Sequence, residues 1–179
     1  ALVDECGECG GSGVDECGEC GGSAEIDVFG ICEGNGTIQG AIDSTDSGGT
    51  VSVPSGTYME CISIYKSITL IADGNVIIDG SACSSVISVS SPDVGVNGFE
   101  VVGSDQTTSG ISVGPGSFNV SISNNKIHGM KLANQSNISP GSYGILVWGN
   151  EIDGSPHDII LHGNEIYDVL LFGIDVTEL

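Results

Sequence analysis

From Thr37 onward, short runs of Val, Ile and Leu alternate with Ser, Thr, Asn and Gly. Val51-Ser-Val53, Ile62-Ser-Ile64, Ile68-Thr-Leu70, Val76-Ile-Ile78 and Val86-Ile-Ser-Val89 come first. Val94-Gly-Val96, Phe99-Glu-Val101, Ile111-Ser-Val113 and Val120-Ser-Ile122 follow, then Ile145-Leu-Val147, Ile159-Ile-Leu161 and Ile174-Asp-Val176. A period of two over so few residues, punctuated by Gly, Asn and Asp, predicts short strands with tight corners. Only Thr37 to Ser44 predicts a helix, with Ile38, Ala41 and Ile42 on one face. Phe172 to Val176 predicts a buried strand close to Leu179, as expected of a fragment or of an end covered by something else.

The runs also keep a longer beat. Ile87 and Ile111 are 24 residues apart, and Ile68, Val94 and Val120 are spaced by 26. A sandwich has no reason to hold such a spacing. A parallel β-helix does, because each coil stacks its strands on the coil before it. Asn at the corners (Asn124-Asn125, Asn150, Asn164) then reads as a side-chain ladder that satisfies backbone groups in bends. The interval from Ile111 to Ile145 is too long for one coil, so Met130 to Ser142 is expected to loop out.

Before Thr37 the texture differs. Val3-Asp-Glu-Cys-Gly-Glu-Cys-Gly-Gly-Ser12 recurs unchanged as residues 14–23, and a worn third copy runs from Ile26 to Gly36, with Phe29 in place of its first Cys. Almost no apolar side chain precedes Ile26, so cross-links or metal must order this segment, or it stays mobile. The expected organisation is a Cys-rich repeat segment over 1–36 and an all-β parallel β-helix over 37–179, capped at its N-terminal end by the short helix.

Charge narrows the functions. The chain of 179 residues carries 24 acidic and 3 basic residues, for a net charge of −21, and has no Arg. Nucleic-acid binding is excluded on this balance, because phosphates need cations to displace their counterions. No run of eighteen apolar residues is present to insert into a bilayer.

Gly48 to Gly80, with Gly-Gly-Thr-Val-Ser-Val-Pro-Ser-Gly-Thr-Tyr at its start, resembles the first coils of the pectin-lyase-like superfamily. Ile122-Ser-Asn-Asn-Lys-Ile127 and Leu161-His-Gly-Asn-Glu-Ile166 are similar to that family's degenerate coil repeats. The resemblance covers about 140 residues and implies a right-handed parallel β-helix with Thr37 to Ser44 as the cap. It leaves function open, because the superfamily holds lyases, esterases, hydrolases, epimerases, adhesins and inert stalks. The Asp-Glu-Cys-Gly-x-Cys-Gly-Gly repeats resemble those of secreted multidomain and bacterial surface proteins, which implies an extracellular setting.

Seven cysteines (Cys6, Cys9, Cys17, Cys20, Cys32, Cys61 and Cys83) leave one over from any internal pairing. In the repeats, disulfides between copies compete with a four-thiolate zinc site, which the surrounding carboxylates disfavour. Cys61 and Cys83 are nearly one coil apart and read either as a staple or as two buried thiols. Asp4, Glu5, Asp15, Glu16 and Asp27 recur at near-regular spacing and are candidate Ca²⁺ ligands; the competing reading is that they keep a Gly-rich spacer soluble.

Catalytic candidates are His157 and Asp158, in Ser155-Pro-His-Asp158, with Tyr143 upstream. The stretch resembles the Asp-Pro-His-Asp element of β-helix alginate epimerases, except that Ser155 replaces the first Asp and the Tyr spacing differs. Uronate chemistry must neutralise the substrate carboxylate with Arg, Lys or a metal, and no basic residue follows Lys131. Trp148 and Tyr143 are candidates for stacking on a sugar ring. Three functions are compatible with these features. The foremost is a secreted or cell-surface structural and adhesive module that self-associates through its coil ends, end to end into filaments. The alternatives are a Ca²⁺-dependent polysaccharide lyase or epimerase, and a non-catalytic glycan-binding module.

Overall fold

The computed structural model describes residue 6 and residues 13–131, 142–149 and 154–178. The interior of the expected loop, Asn150, Cys9, Asp4 and Glu5 lie outside the described residues.

Among the described residues the chain is mostly β, with parallel sheets and one short helix. Helix α1 (Ile38–Ser44) buries Ile38, Ala41 and Ile42, as its spacing predicts. Thr37 caps its start by accepting the Gly40 N–H. The strands follow as β1 (Thr50–Tyr58), β2 (Ile62–Ile64), β3 (Thr69–Asp79), β4 (Ser85–Val89), β5 (Gly95–Asn97), β6 (Glu100–Val102) and β7 (Ser109–Val113). Then come β8 (Phe118–Ser123), β9 (Lys126–His128), β10 (Tyr143–Gly149), β11 (His157–His162), β12 (Glu165–Tyr167) and β13 (Phe172–Glu178).

One sheet has eight strands, with β3 paired to β1, β5 and β6 and the ladder continuing through β8 and β9 to β11 and β12. The other has five, in the order β2-β4-β7-β10-β13. Every strand pair in both is parallel. The chain passes back and forth between the sheets, with β5 and β6, β8 and β9, and β11 and β12 as successive strands of the larger one, so each strand reaches its parallel neighbour by way of the other sheet. The register keeps the spacing seen in the sequence: Ile87 faces Ile111, and Thr69, Gly95 and Ser121 share one rung position. Ile145 faces Ile111 directly, so the extra residues between them stay out of the ladder. At the neck of that excursion the Ser142 hydroxyl donates to the Met130 carbonyl at 2.7 Å.

Apolar columns fill the space between the sheets. Leu70, Val96 and Ile122 stack in one column and Ile62, Ile87, Ile111 and Ile145 in another, all buried. Burial of such side chains at about 1.5–3 kcal/mol each is the main favourable term. The corner between β8 and β9 needs a left-handed residue, filled by Asn124 at φ 55°; Gly98 at 87° and Gly163 at 64° hold the matching positions.

One expectation changes. Phe172 to Val176 forms a strand, but it is not buried: Ile174 is 49 % and Val176 71 % exposed. β13 pairs with β10 alone, and no described strand covers its other edge.

Candidate functional site

The outer face of the five-stranded sheet carries a groove. On β4 and β7 the groove is floored by small hydroxyl side chains, and on β10 by Leu146 and Trp148; all are uncharged. Ser88 and Ser112 are register partners, and Ser112 partners Leu146. Gly114 and Trp148 come next along, just after the partners Val113 and Val147. The Trp148 indole N–H donates to the Ser112 hydroxyl at 3.1 Å, which fixes the ring over the sheet. A Cβ placed on Gly114 would meet the indole at 3.4 Å, so the glycine lets the ring lie close to the backbone. The cavity is about 690 Å³, within the range of small-molecule sites. Serines and Thr108 form most of the floor, Trp148 and Pro115 the apolar wall, and none of its described lining residues is charged.

A second cavity, about 420 Å³, lies on the eight-stranded sheet between Asp93, Asn97, Asn119 and Ser123. It has no aromatic lining, and its polar groups already bond each other: Asn97 to the Ser123 hydroxyl and Asn119 to the Asp93 carboxylate, both at 2.7 Å.

Tyr143 does not share the groove with Trp148. It is 8 % exposed, and its ring stacks on Phe172. Its register partner Ser109 lines the groove, but Tyr143 itself does not, its ring being taken up by Phe172.

The catalytic candidates are not assembled either. His157 and Asp158 begin β11 in the eight-stranded sheet, whereas Tyr143 begins β10 in the other. His157 bonds to the neighbouring Asp158 at 2.9 Å and stacks on Phe118, with its side chain well exposed. No hydrogen bond or ring contact joins either residue to Tyr143 among the described residues. His128, His157 and His162 do not converge.

All three cations have internal partners. The Lys66 ammonium donates to the carbonyls of Asp43 and Thr45, at the C-terminal end of α1. Lys126 pairs with Glu100 at 3.3 Å and Lys131 with Asp168 at 2.8 Å. The other end of α1 is held by Glu60, whose carboxylate accepts the N–H groups of Ile38 and Gln39. Glu60 and Lys66 flank β2 and bracket the helix with charges of the favourable sign at each end. Sequence reasoning missed this pair, because nothing local links residues 60 and 66 to a helix some twenty residues earlier.

In the repeat segment the acidic positions organise turns. Asp15 accepts the backbone N–H of Cys17, Glu19 and Ala24; Asp27 accepts those of Phe29, Ile31 and Gly36. The Glu19 N–H foremost, against some burial, holds the Asp15 carboxyl below the usual carboxylate range. Glu16 accepts the Ile26 N–H. Among the described residues no three His, Cys, Asp or Glu side chains gather as a metal-ligand set.

The described cysteines form three disulfides: Cys6–Cys20, Cys17–Cys32 and Cys61–Cys83. The zinc reading therefore fails for Cys6, Cys17 and Cys20, and the buried-thiol reading for Cys61 and Cys83. In the repeats, the first Cys of one copy joins the second Cys of the next. In the third copy Phe29 replaces the first Cys and packs instead against Tyr58 of β1, with ring centroids 6.1 Å apart.

No family model matches the chain, and no curated protein or solved structure matches it.

Proposed function

We propose that this chain is a secreted structural and adhesive module, a right-handed parallel β-helix of the pectin-lyase-like kind, that holds an uncharged polysaccharide on its Trp148 groove. Three internal disulfides suit an oxidising compartment outside the cell. The coil reading rests on the alternation between two all-parallel sheets and on the near-constant register spacing.

One observation carries the ligand assignment: an indole fixed by Ser112 beside a floor of hydroxyls with no charged lining. Sugar rings present apolar C–H faces to aromatic rings and hydroxyls to hydroxyls, which matches that surface. An acidic polymer fits poorly, because the chain is strongly anionic and each lysine already serves an internal carboxylate or carbonyl.

Titration calorimetry against neutral polysaccharides and against alginate and pectin tests this. Binding to a neutral polymer is expected, reduced at least tenfold by Trp148→Ala. Turnover of alginate or pectin with Ca²⁺, abolished by His157→Ala, would establish the lyase or epimerase reading in its place.

A further inference from the structure

We infer that Asn35-Gly36, where the repeat segment joins α1, is a self-modifying site: Asn35 deamidates through a cyclic imide, with Asp27 as the base and Thr37 as the activator of the amide carbonyl. The groups stand where an acyl transfer needs them. The Gly36 N–H must lose its proton for the nitrogen to attack, and it donates to the Asp27 Oδ2 at 3.0 Å. Burial pushes the Asp27 carboxyl up, but the N–H groups of Ile31, Gly36 and Phe29 outweigh it. They hold the group below the usual carboxylate range, so it is an anion at neutral pH. Negative charge develops on the Asn35 Oδ1 as Cγ is attacked. That oxygen accepts from the Thr37 N–H at 3.0 Å and from the Thr37 hydroxyl at 2.7 Å. A base on the nucleophile and two donors on the developing oxyanion are the two aids that acyl transfer draws on. Gly36, at φ 68°, has no side chain to obstruct ring closure, and a Cβ there would meet nothing within 4 Å. Gly40 likewise leaves room for the Asn35 carbonyl against the first turn of α1, since a Cβ there would collide with Oδ1.

The steps balance without an oxidant or reductant. The Gly36 nitrogen bonds to the Asn35 Cγ while its proton passes to the Asp27 carboxylate. The Cγ–Nδ2 bond then breaks, that proton goes to the departing nitrogen, and ammonia leaves a five-membered imide. Water, which reaches the exposed Asn35, opens the imide at either carbonyl. Opening at the main-chain carbonyl gives isoaspartate, whose backbone runs through Cβ; opening at Cγ gives aspartate. Either product adds a carboxylate, and isoaspartate also lengthens the chain by one carbon. The extra carbon falls between Cys32, tied to Cys17, and Thr37, the cap of α1. The sequence holds one other Asn-Gly pair, Asn97-Gly98, and the fold treats it differently. Asn97 sits in β5 between β3 and β8, its amide donates to the Ser123 hydroxyl, and the Gly98 N–H donates to the Ser123 carbonyl at 3.2 Å. No carboxylate accepts that N–H, so the same dipeptide is held in a ladder with no base.

Timed incubation of the intact, oxidised chain near neutral pH, followed by peptide mapping with mass spectrometry and an isoaspartate assay, reads this out. Asn35 is expected to deamidate at least about tenfold faster than Asn97 in the folded chain, with isoaspartate among the products. In the reduced chain in guanidinium the two rates should converge, because both pairs then have the same neighbours in bond order and neither has a fold. Asp27→Asn, which removes the base, and Thr37→Val, which removes the hydroxyl donor, are each expected to slow Asn35 several-fold and leave Asn97 unchanged. Should a variant disturb the turn, the unaltered chain answers by itself: folding is expected to speed Asn35 and to slow Asn97. Equal rates at the two pairs in the folded chain, an Asn35 rate lowered by folding, or indifference of Asn35 to both substitutions overturns the inference. No saccharide enters the experiment, so its outcome is independent of the Trp148 groove.

Discussion

Asn125 is 1 % exposed and stitches three levels of the stack. Its carbonyl oxygen accepts the Phe99 N–H at 3.0 Å, and its amide donates to the Val96 carbonyl and to the Asn164 side chain at 3.1 Å each. Asn164 continues the ladder by donating to the Ile122 carbonyl at 2.7 Å. Removing the Asn125 amide strands a buried N–H and a buried carbonyl, each costing about 1–3 kcal/mol. Asn125→Ala is therefore expected to destabilise by roughly 2–4 kcal/mol and lower the melting temperature by about 5–12 °C in calorimetry. Glu100 gives the residue-scale pH dependence. The His128 hydrogen bond foremost, then Lys126, holds its carboxyl below the ordinary 4.5, against an opposing push from burial. A carboxyl depressed on folding stabilises above its unfolded value, and the contribution is lost as pH falls through the folded one. Below about pH 4.5 the unaltered chain should lose melting temperature more steeply than Glu100→Gln; equal slopes between about pH 2 and 6 would show that this pair contributes nothing.

At the scale of elements, the repeat segment and the sheet stack hold together by different forces. Residues 13–36 contribute little apolar burial, and their turns hang on Asp15, Asp27 and two disulfides, whereas the stack has a continuous apolar interior. Reduction is expected to expose residues 1–36 to limited proteolysis while 37–179 resists. The stack itself should lose about 3 kcal/mol with Cys61–Cys83, the entropy of a loop spanning 22 residues. Cleavage throughout the chain on reduction would show that the stack depends on the repeats. Repeat and rung already differ in composition. The strands were legible, since Val and Ile at alternate positions can bury only one face. β9 and β12 escaped separate notice because a three-residue strand behind an Asn corner turns a single apolar residue inward, the buried Ile127 or the half-buried Ile166. The helix brackets and the Tyr143–Phe172 stacking were not legible, since each depends on what a distant coil places beside the residue. The serine floor of the groove could have been found: Ser88 and Ser112 keep the 24-residue beat of Ile87 and Ile111.

For the whole molecule, charge is the dominant imbalance. Against 24 carboxylates stand three lysines, of which two form surface ion pairs, each worth at most about 1 kcal/mol and weakened by salt. Repulsion among the remaining carboxylates is also weakened by salt, and there are many more of them. Screening should therefore win. The melting temperature at pH 7 is expected to rise by several degrees between about 0.01 and 1 M NaCl, as the Debye length falls from about 30 to 3 Å. A fall with salt would mean that the Glu100 and Asp168 pairs outweigh the general repulsion. Calcium separates screening from ligation. CaCl₂ at matched ionic strength should stabilise no more than NaCl if the acidic surface acts only through its field. An excess that disappears with Asp15→Asn and Asp27→Asn would locate a calcium site in the repeats; since those carboxylates already accept three backbone N–H groups each, the expected result is no excess.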